Sequence, residues 1–357
     1  MKKKVLIGMS GGVDSSVAAY LIKKQGFEVI GATMKLWEDN NPTCTSILAT
    51  ERAKKVAEDL DIPHYVFDFK ETFNKNIIQY FIAEYLKGKT PNPCVICNRE
   101  IKFAQLLKKA EEMGIDYVAT GHYARIVKAS WKTNGRYLLK KGKDKNKDQS
   151  YFLYRLTQKQ LSKTIFPLGN FTKKKVRKIA KKIGLTVAEE RDSQEVCFIP
   201  NNDYKQFIEN NISTAPREGN IVDEKGNILG KHFGIHKYTI GQRKGVNTIS
   251  NDPLYVIGIE KEKNEIIVGP EESLYTNELT AKDLNWIIPD LVRENIPLKA
   301  KIRYMAKEMA CKITNIEKNN KDRITISFKE KQRAISPGQS VVLYKKDLVV
   351  GGGIITK

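Results

Sequence analysis

The stretch "GMSGGVDSS", residues 8–16, lies between the apolar run "VLI" and the helix-like "VAAYLIKK". It constrains the fold more than any other feature of the chain. A strand, a glycine-rich turn and a helix N-terminus leave unpaired backbone N–H groups around one point, and the helix dipole reinforces them. Such a turn is either merely tight or a cradle for phosphate. No lysine follows the glycines, so it is not a P-loop. The only "GKT", at Gly88–Thr90, lacks the glycine five residues earlier and follows no strand. Gly8, Gly11 and Gly12 have the wrong spacing for a dinucleotide fingerprint.

The turn belongs to an alternating region. "KVLIGM" reads as a strand, and the helix after it carries an apolar face at Val17, Ala18, Leu21 and Ile22, closed by Gly26. "EVIGATMKLW" is a second strand. "TERAKKVAEDLDI" is a helix with Ala53, Val56, Ala57 and Leu60 on one face, "HYVFDF" is a third strand, and "IKFAQLLKKAEEMG" leads into "DYVATGH". This order predicts an α/β fold with a parallel sheet covered by helices. "TKKKVRKIAKKIGL" reads as a capped helix, with Thr172 as N-cap, Val176, Ile179, Ala180 and Ile183 as the buried stripe and Gly184 as the stop. Its other face carries seven basic residues, either a solvated face or one that tracks phosphates. After "CFIPNND" the texture changes, and from about Leu279 the chain reads as β. Boundaries near 201 and 280 divide it into segments 1–200, 201–279 and 280–357. The lysine-rich "KKGKDKNKDQ" is expected to be a mobile loop.

At 357 residues the chain exceeds a comfortable single core. No apolar run approaches the length of a membrane span, and the short run after the N-terminal lysines suits a strand better than a signal peptide, so a cytoplasmic protein with no membrane partner is expected. The net charge of +21 favours a polyanionic partner, nucleic acid first. Five cysteines, Cys44, Cys94, Cys97, Cys197 and Cys311, make an odd count that argues against a disulfide framework.

Two of these cysteines stand three apart in "TPNPCVICNREIKF", where two prolines are expected to hold the chain extended. A helix starting near Asn98 would lower the pKa of Cys97 through its dipole. The pair could be a redox couple, half of a zinc site or part of an iron–sulfur ligand set. No second CxxC or His pair is present, which disfavours structural zinc. Cys197, in "RDSQEVCFIP", is a third candidate thiol, against the plainer reading of a small buried hydrophobe.

The hexapeptide "SGGVDS" resembles the pyrophosphate-binding loop of enzymes that split ATP between its α- and β-phosphates. With it, "TPNPCVICNREIKF", "ATGHYAR", "KDQSYFL", "RDSQEVCFI", "YTIGQRKG" and "SPGQSVVLY…GGGII" occur in the order seen in bacterial tRNA-specific 2-thiouridylases. The resemblance runs from Lys4 to the C-terminus. It implies an adenine nucleotide alpha-hydrolase-like (PP-loop) domain, a small central domain and a C-terminal β-barrel. It also implies ATP-dependent sulfur transfer onto C2 of the wobble uridine of tRNAs for Lys, Glu and Gln. In such enzymes ATP adenylates the uracil C2 oxygen, a poor leaving group, and pyrophosphate leaves; sulfur then displaces AMP. Carried over residue by residue, Cys197 bears a persulfide and Cys97 is the nucleophile or the thiol that releases sulfur through a disulfide. Asp14 serves a magnesium–pyrophosphate complex or the adenylation step. Gly8, Met9, Ser10, Gly11, Gly12, Val13, Asp14, Ser15, Met34 and Gly121 line ATP. Asn92, Pro93 and Cys94 border the target base; His122, Lys147, Asp148, Gln149, Arg303, Tyr304 and Gln339 contact tRNA. Gly241–Gly245 is either a phosphate-contacting turn or an ordinary hairpin. A persulfide donor protein, a cysteine desulfurase or relay, is the implied partner, with Mg2+ beside ATP.

The sequence also departs from the family pattern. Many relatives carry paired cysteines followed by acids after the second strand, whereas "TCTSILATERAKKVA" keeps only Cys44. Cys94 stands where many have Asp. With Cys97 and Cys197 it would supply three thiolates for a four-iron four-sulfur cluster, so hydrosulfide delivery from such a cluster competes with a persulfide relay. Rival readings are a paralogue thiolating another RNA position and a nucleic-acid-binding module without catalysis, the latter disfavoured by the intact loop and cysteine motifs. ATP-splitting ligases of the argininosuccinate synthase or GMP synthetase type do not use the cysteines.

Overall fold

The computed structural model describes residues 2–37, 45–129, 135–185, 187, 196–248, 252–317 and 322–357, so Cys44 and all of "RDSQE" lie outside the described residues. The chain forms two compact units. One comprises Met1–Ile77, Cys94–Gln194 and Lys346–Val349, the other Ile78–Pro93, Glu195–Lys345 and Val350–Lys357.

In the first unit β1 (Lys4–Gly8), β2 (Glu28–Lys35), β3 (His64–Asp68), β4 (Tyr117–Ala119), the hairpin β5–β6 (Ala124–Lys128 and Tyr137–Lys141) and β7 (Thr164–Ile165) follow in sequence. Five of these strands make a parallel sheet in the order β3-β2-β1-β4-β7. β1 is central, and Val5, Leu6 and Ile7 are wholly buried, as expected of a parallel strand that reads as a continuous apolar run. The helices of this region are α1 (Val13–Lys24), α2 (Thr45–Asp59) and the short α3 (Lys70–Phe73), followed by α4 (Gln79–Tyr85) in the second unit and α5 (Pro93–Cys97) where the first resumes. α6 (Leu106–Glu112), α7 (Gln158–Ser162) and α8 (Lys173–Lys182) complete the set. The apolar faces expected of α1, α2 and α8 meet in one core: Val17, Ala18 and Ile22 pack with Ala53, Val56 and Ala57 and with Val176 and Ala180. Thr172 caps α8 by accepting from the Lys175 N–H. The strand order reverses beside β1, so the loops after β1 and β4 share one end of the sheet, where open α/β sheets bind ligands.

In the second unit α9 (Tyr204–Asn210) precedes a four-stranded sheet of β8 (Glu218–Val222), β9 (Ile228–Phe233), β10 (Tyr255–Glu260) and β11 (Glu265–Gly269). Six further strands follow: β12 (Tyr275–Trp286), β13 (Leu298–Lys301), β14 (Met309–Glu317), β15 (Arg323–Arg333), β16 (Ser340–Lys345) and β17 (Leu348–Ile355). They run in the order β12-β15-β14-β13-β16-β17, and the pairing of β12 with β17 closes them into a barrel. Alternation along these strands sends Ile313, Ile324, Ile326, Leu343 and Val350 inward. Cys311 is one of these core residues, and burial pushes its thiol up to about 12. Among the described residues no helix is long and apolar enough to cross a membrane.

Candidate active site

The loop after β1 has the geometry its sequence promises. Gly12 is the N-cap of α1 in extended conformation, and no side chain caps the helix, so the amides of Val13, Asp14 and Ser15 face out of its first turn without an intrahelical acceptor. Ser15 Oγ accepts from the Ser10 N–H at 3.2 Å and donates to Gly12 O at 3.1 Å, and Ser16 Oγ donates to the same carbonyl at 2.9 Å. Gly11 has φ +71°, and a Cβ there would lie 2.4 Å from Ala49 O. Met9 and Val13 turn their side chains into the core, which leaves their backbone for a ligand. The Met9 N–H donates to Ala32 O at 2.8 Å and its carbonyl accepts from Thr33 Oγ1 at 2.9 Å, tying the loop to β2. Half-buried Met34 lies over Gly8, its Cε 3.5 Å from where a Cβ would be. Gly121, after β4, backs directly on the loop: a Cβ there would come within 2.9 Å of the Asp14 carbonyl carbon and the Ser15 nitrogen.

The sequence pointed to Asp14 but not to its partners. Lys173 Nζ lies 2.8 Å from both Asp14 carboxylate oxygens, and the Tyr123 hydroxyl donates to Asp14 Oδ1 at 2.7 Å. Lys173 is the first residue of α8, and its backbone N–H donates to Asp144 Oδ2 at 2.9 Å. Tyr123 is pinned in turn, since its N–H donates to Gln149 Oε1 at 2.9 Å and its carbonyl accepts from the Gln149 N–H at 3.0 Å. The lysine-rich segment expected to be mobile is therefore fastened along its length. Buried Asp148 accepts from the Gly142 and Ser150 N–H groups and from Ser150 Oγ, and the Lys147 N–H closes a turn on Asp144 O at 3.1 Å. Asp144 and Asp148 supply the acceptors that hold this loop, a role hidden by the lysines around them.

The expectation for Cys97 is corrected. The helix starts at Pro93 rather than near Asn98, and α5 runs straight into a π-helical stretch, Asn98–Gln105. Cys97 is thus inside a helix, not at its positive end, and burial pushes its thiol up to about 11, with Lys102 opposing. Pro93 suits the first helical position, which ends the extended run one residue after Asn92. Half-buried Cys94 is shifted up by the same cause, again opposed by Lys102. Burial also holds His122 well below its usual pKa, and Lys102 adds to that, so His122 is a neutral imidazole. Its Nδ1 lies 2.7 Å from Thr120 Oγ1, and its ring contacts Phe103 and Phe166. Lys102 therefore acts on Cys94, Cys97 and His122 together, a clustering that the sequence spacing did not suggest. Beside Cys97, Asn98 is 2% exposed, and its Oδ1 has no hydrogen-bond partner among the described residues. π-Helical stretches and orphaned buried polar atoms both mark functional positions.

Cys197 belongs to the second unit and is exposed, in contrast to the plainer reading of a buried hydrophobe. Its neighbour Phe198 anchors it, packing edge-on against Phe81 and tilted against Phe207, with ring centroids 5.5 and 5.4 Å away. In the same unit Gln339 Nε2 donates to Thr90 O at 3.0 Å, and the Thr90 N–H donates to Pro337 O at 2.8 Å. The structure thus joins Gln339 to the segment that carries Asn92 and Pro93. Arg303 is exposed and Tyr304 half-buried in the turn between β13 and β14, followed by Met305 at 86% exposure. In Gly241–Gly245 the Gln242 side chain folds back to the Thr239 N–H, and Arg243 and Lys244 are exposed.

Family models match the chain in three consecutive stretches. These are the tRNA methyl transferase HUP domain over residues 3–201, the tRNA methyl transferase PRC-barrel domain over 205–270 and the aminomethyltransferase beta-barrel domain over 276–355. Among curated proteins, tRNA-specific 2-thiouridylase MnmA 1 of Clostridium botulinum is 52% identical, with all of both chains covered. The tRNA-specific 2-thiouridylase MnmA of Caldicellulosiruptor saccharolyticus is 53% identical over all of this chain and 99% of its own. MnmA 1 of Caldanaerobacter subterraneus is 54% identical with the same coverage. Agreement of this extent, over a sheet domain with its phosphate loop and a closed barrel, means that the chain belongs to the tRNA-specific 2-thiouridylase family.

Proposed function

We propose that this protein uses ATP to place sulfur on C2 of the wobble uridine, the first anticodon position, of tRNAs for Lys, Glu and Gln. The observation that carries the reading is the uncapped start of α1 behind a glycine turn, in a chain that matches 2-thiouridylases from end to end. ATP sets its pyrophosphate half on the amides of Gly11–Ser15, with Gly8, Met34 and Gly121 on its adenine side. Asp14 is the loop's only carboxylate, and a single carboxylate does not make a protein cage, so Mg2+ fits as a companion of the phosphates. Adenylation turns the C2 oxygen into a leaving group and releases pyrophosphate.

A persulfide on Cys197 then attacks C2 through its terminal sulfur, and AMP departs with the oxygen. Cys97, as thiolate, attacks the Cys197 sulfur; the S–S bond to the sulfur on C2 breaks, thiouridine is freed, and a Cys97–Cys197 disulfide remains for a thiol reductant. The exposure of Cys197 supports loading by a donor protein, a cysteine desulfurase or relay. For cluster delivery, Cys94 and Cys97 offer two thiols from one helical turn. Cys197, from the second unit, is the third thiol that this alternative requires. Asn92, Pro93, Cys94, His122, Lys147, Asp148, Gln149, Arg303, Tyr304 and Gln339 are the tRNA contacts of this reading. Arg303 with Tyr304 pairs a guanidinium with a stacking ring, suited to an unstacked base. Lys174, Lys178 and Lys182 recur every fourth residue along α8, all exposed, which suits phosphate contact. A tRNA substrate supports a cytoplasmic location.

The test is nucleoside mass spectrometry of tRNA from a bacterial strain that lacks its own 2-thiouridylase and carries this chain. Wild type restores 2-thiouridine at the wobble position, and Cys197→Ser does not, although it still binds tRNA. No thiolated nucleoside with the wild type refutes the reading, and sulfur at another position favours the paralogue.

A further inference from the structure

The phosphate loop contains no lysine, yet a pyrophosphate leaving group carries several negative charges that backbone amides only partly offset. The structure brings a lysine to the loop from 159 residues away: Lys173, whose ammonium lies 2.8 Å from both oxygens of Asp14. We propose that Lys173 is the loop's missing cation and binds the pyrophosphate half of ATP, exchanging Asp14 for phosphate oxygens. The proposal rests on the ATP-dependent reading above.

Four features support it. Asp14 is the second residue of α1, so a cation on its carboxylate is already beside the amides that receive the phosphates. Lys173 is held in place at both ends of its reach. Its side chain is only 12% exposed, and its backbone N–H is fixed by Asp144 Oδ2. Asp14 also keeps a second partner, the Tyr123 hydroxyl, so it is not stranded when the ammonium turns to phosphate. Finally, α8 begins with Lys173, Lys174 and Lys175 and has no acid in its first turn. Cations at the positive end of a helix are unfavourable. A helix start chosen for stability would not carry them, whereas one facing a polyanion would.

The simpler alternative is that Lys173 only neutralises Asp14. Equilibrium dialysis of the full-length protein with labelled ATP, pyrophosphate and AMP, without tRNA, separates the two and is independent of whether uridine is thiolated. Lys173→Met is expected to weaken ATP and pyrophosphate by about 10- to 100-fold, the scale of a charge-assisted hydrogen bond, while AMP stays within about twofold. Lys173→Arg keeps most of the ATP affinity. In the Asp14→Asn background no carboxylate needs neutralising, and Lys173→Met still costs ATP binding there. Equal losses for ATP and AMP, unchanged ATP binding, or recovery of wild-type ATP affinity in the double variant would each overturn the proposal. If Lys173→Met alone lowers the melting temperature, the comparison is made with Lys173→Gln in the Asp14→Asn background.

Discussion

Burial pushes the Cys97 thiol up to about 11, while Cys197 faces solvent beside an anchoring phenylalanine. At pH 7 Cys97 is therefore held as the thiol, and it needs a substrate-induced change of surroundings before it reacts. Lys102 is the cation already there, the charge that opposes burial at both Cys94 and Cys97. Brief alkylation of the folded protein at pH 7.5, followed by peptide mapping, should label Cys197 at least about tenfold faster than Cys97 or Cys311. Equal rates would contradict the burial difference. The sequence identified these cysteines by motif but misjudged the environment of Cys97, because Pro93 opens a helix where two prolines suggested an extended segment. Lys173 was visible only as one of seven basic residues on its helix, since its pairing with Asp14 depends on a contact across 159 residues.

Contact between elements decides how well the phosphate loop is held. The end of β4 touches the first turn of α1 through Gly121, with no room for a methyl group against backbone atoms that cannot swing away. Gly121→Ala should force the strand end and the helix start apart. The expected cost is about 1–3 kcal/mol in denaturant unfolding, with a loss of ATP affinity larger than the loss of tRNA affinity. A variant as stable as wild type with normal ATP binding would show that the loop tolerates displacement. The long periodic elements were legible: α1, α2 and α8 bury the faces their spacing indicated, and Thr172 caps where a cap was expected. The β5–β6 hairpin was not legible, because its two five-residue strands carry basic residues and no two-residue turn signal joins them. The basic segment after it was misread for a similar reason, as its holding bonds come from Asp144 and Asp148 rather than from any periodic pattern.

Across the whole molecule, all four histidines, His64, His122, His232 and His236, have their pKa lowered, in each case chiefly by burial. A group depressed in the folded state contributes stability above its unfolded pKa and loses it on acidification. Between the depressed values and about 6.5 the unfolded chain binds more protons than the folded one. Melting temperature should therefore fall as pH drops below about 6.5, ahead of carboxylate titration, and replacing His122 with Gln should blunt that fall. A flat profile from pH 7 to 5 would contradict it. Texture changes along the sequence anticipated a sheet domain followed by strand-rich ones. They did not reveal that residues 78–93 count with the second unit, or that 346–349 count with the first.

That last segment links architecture to the order of synthesis. Leu348 pairs with Lys140 on β6, and Asp347 takes ion pairs from Arg125 at 3.1 Å and Lys140 at 2.9 Å. A ribosome has made more than 200 further residues before these partners of the hairpin emerge. The edge of β6 is therefore unmatched while most of the barrel is being translated, and the first unit is finished only after more than 200 later residues have been made.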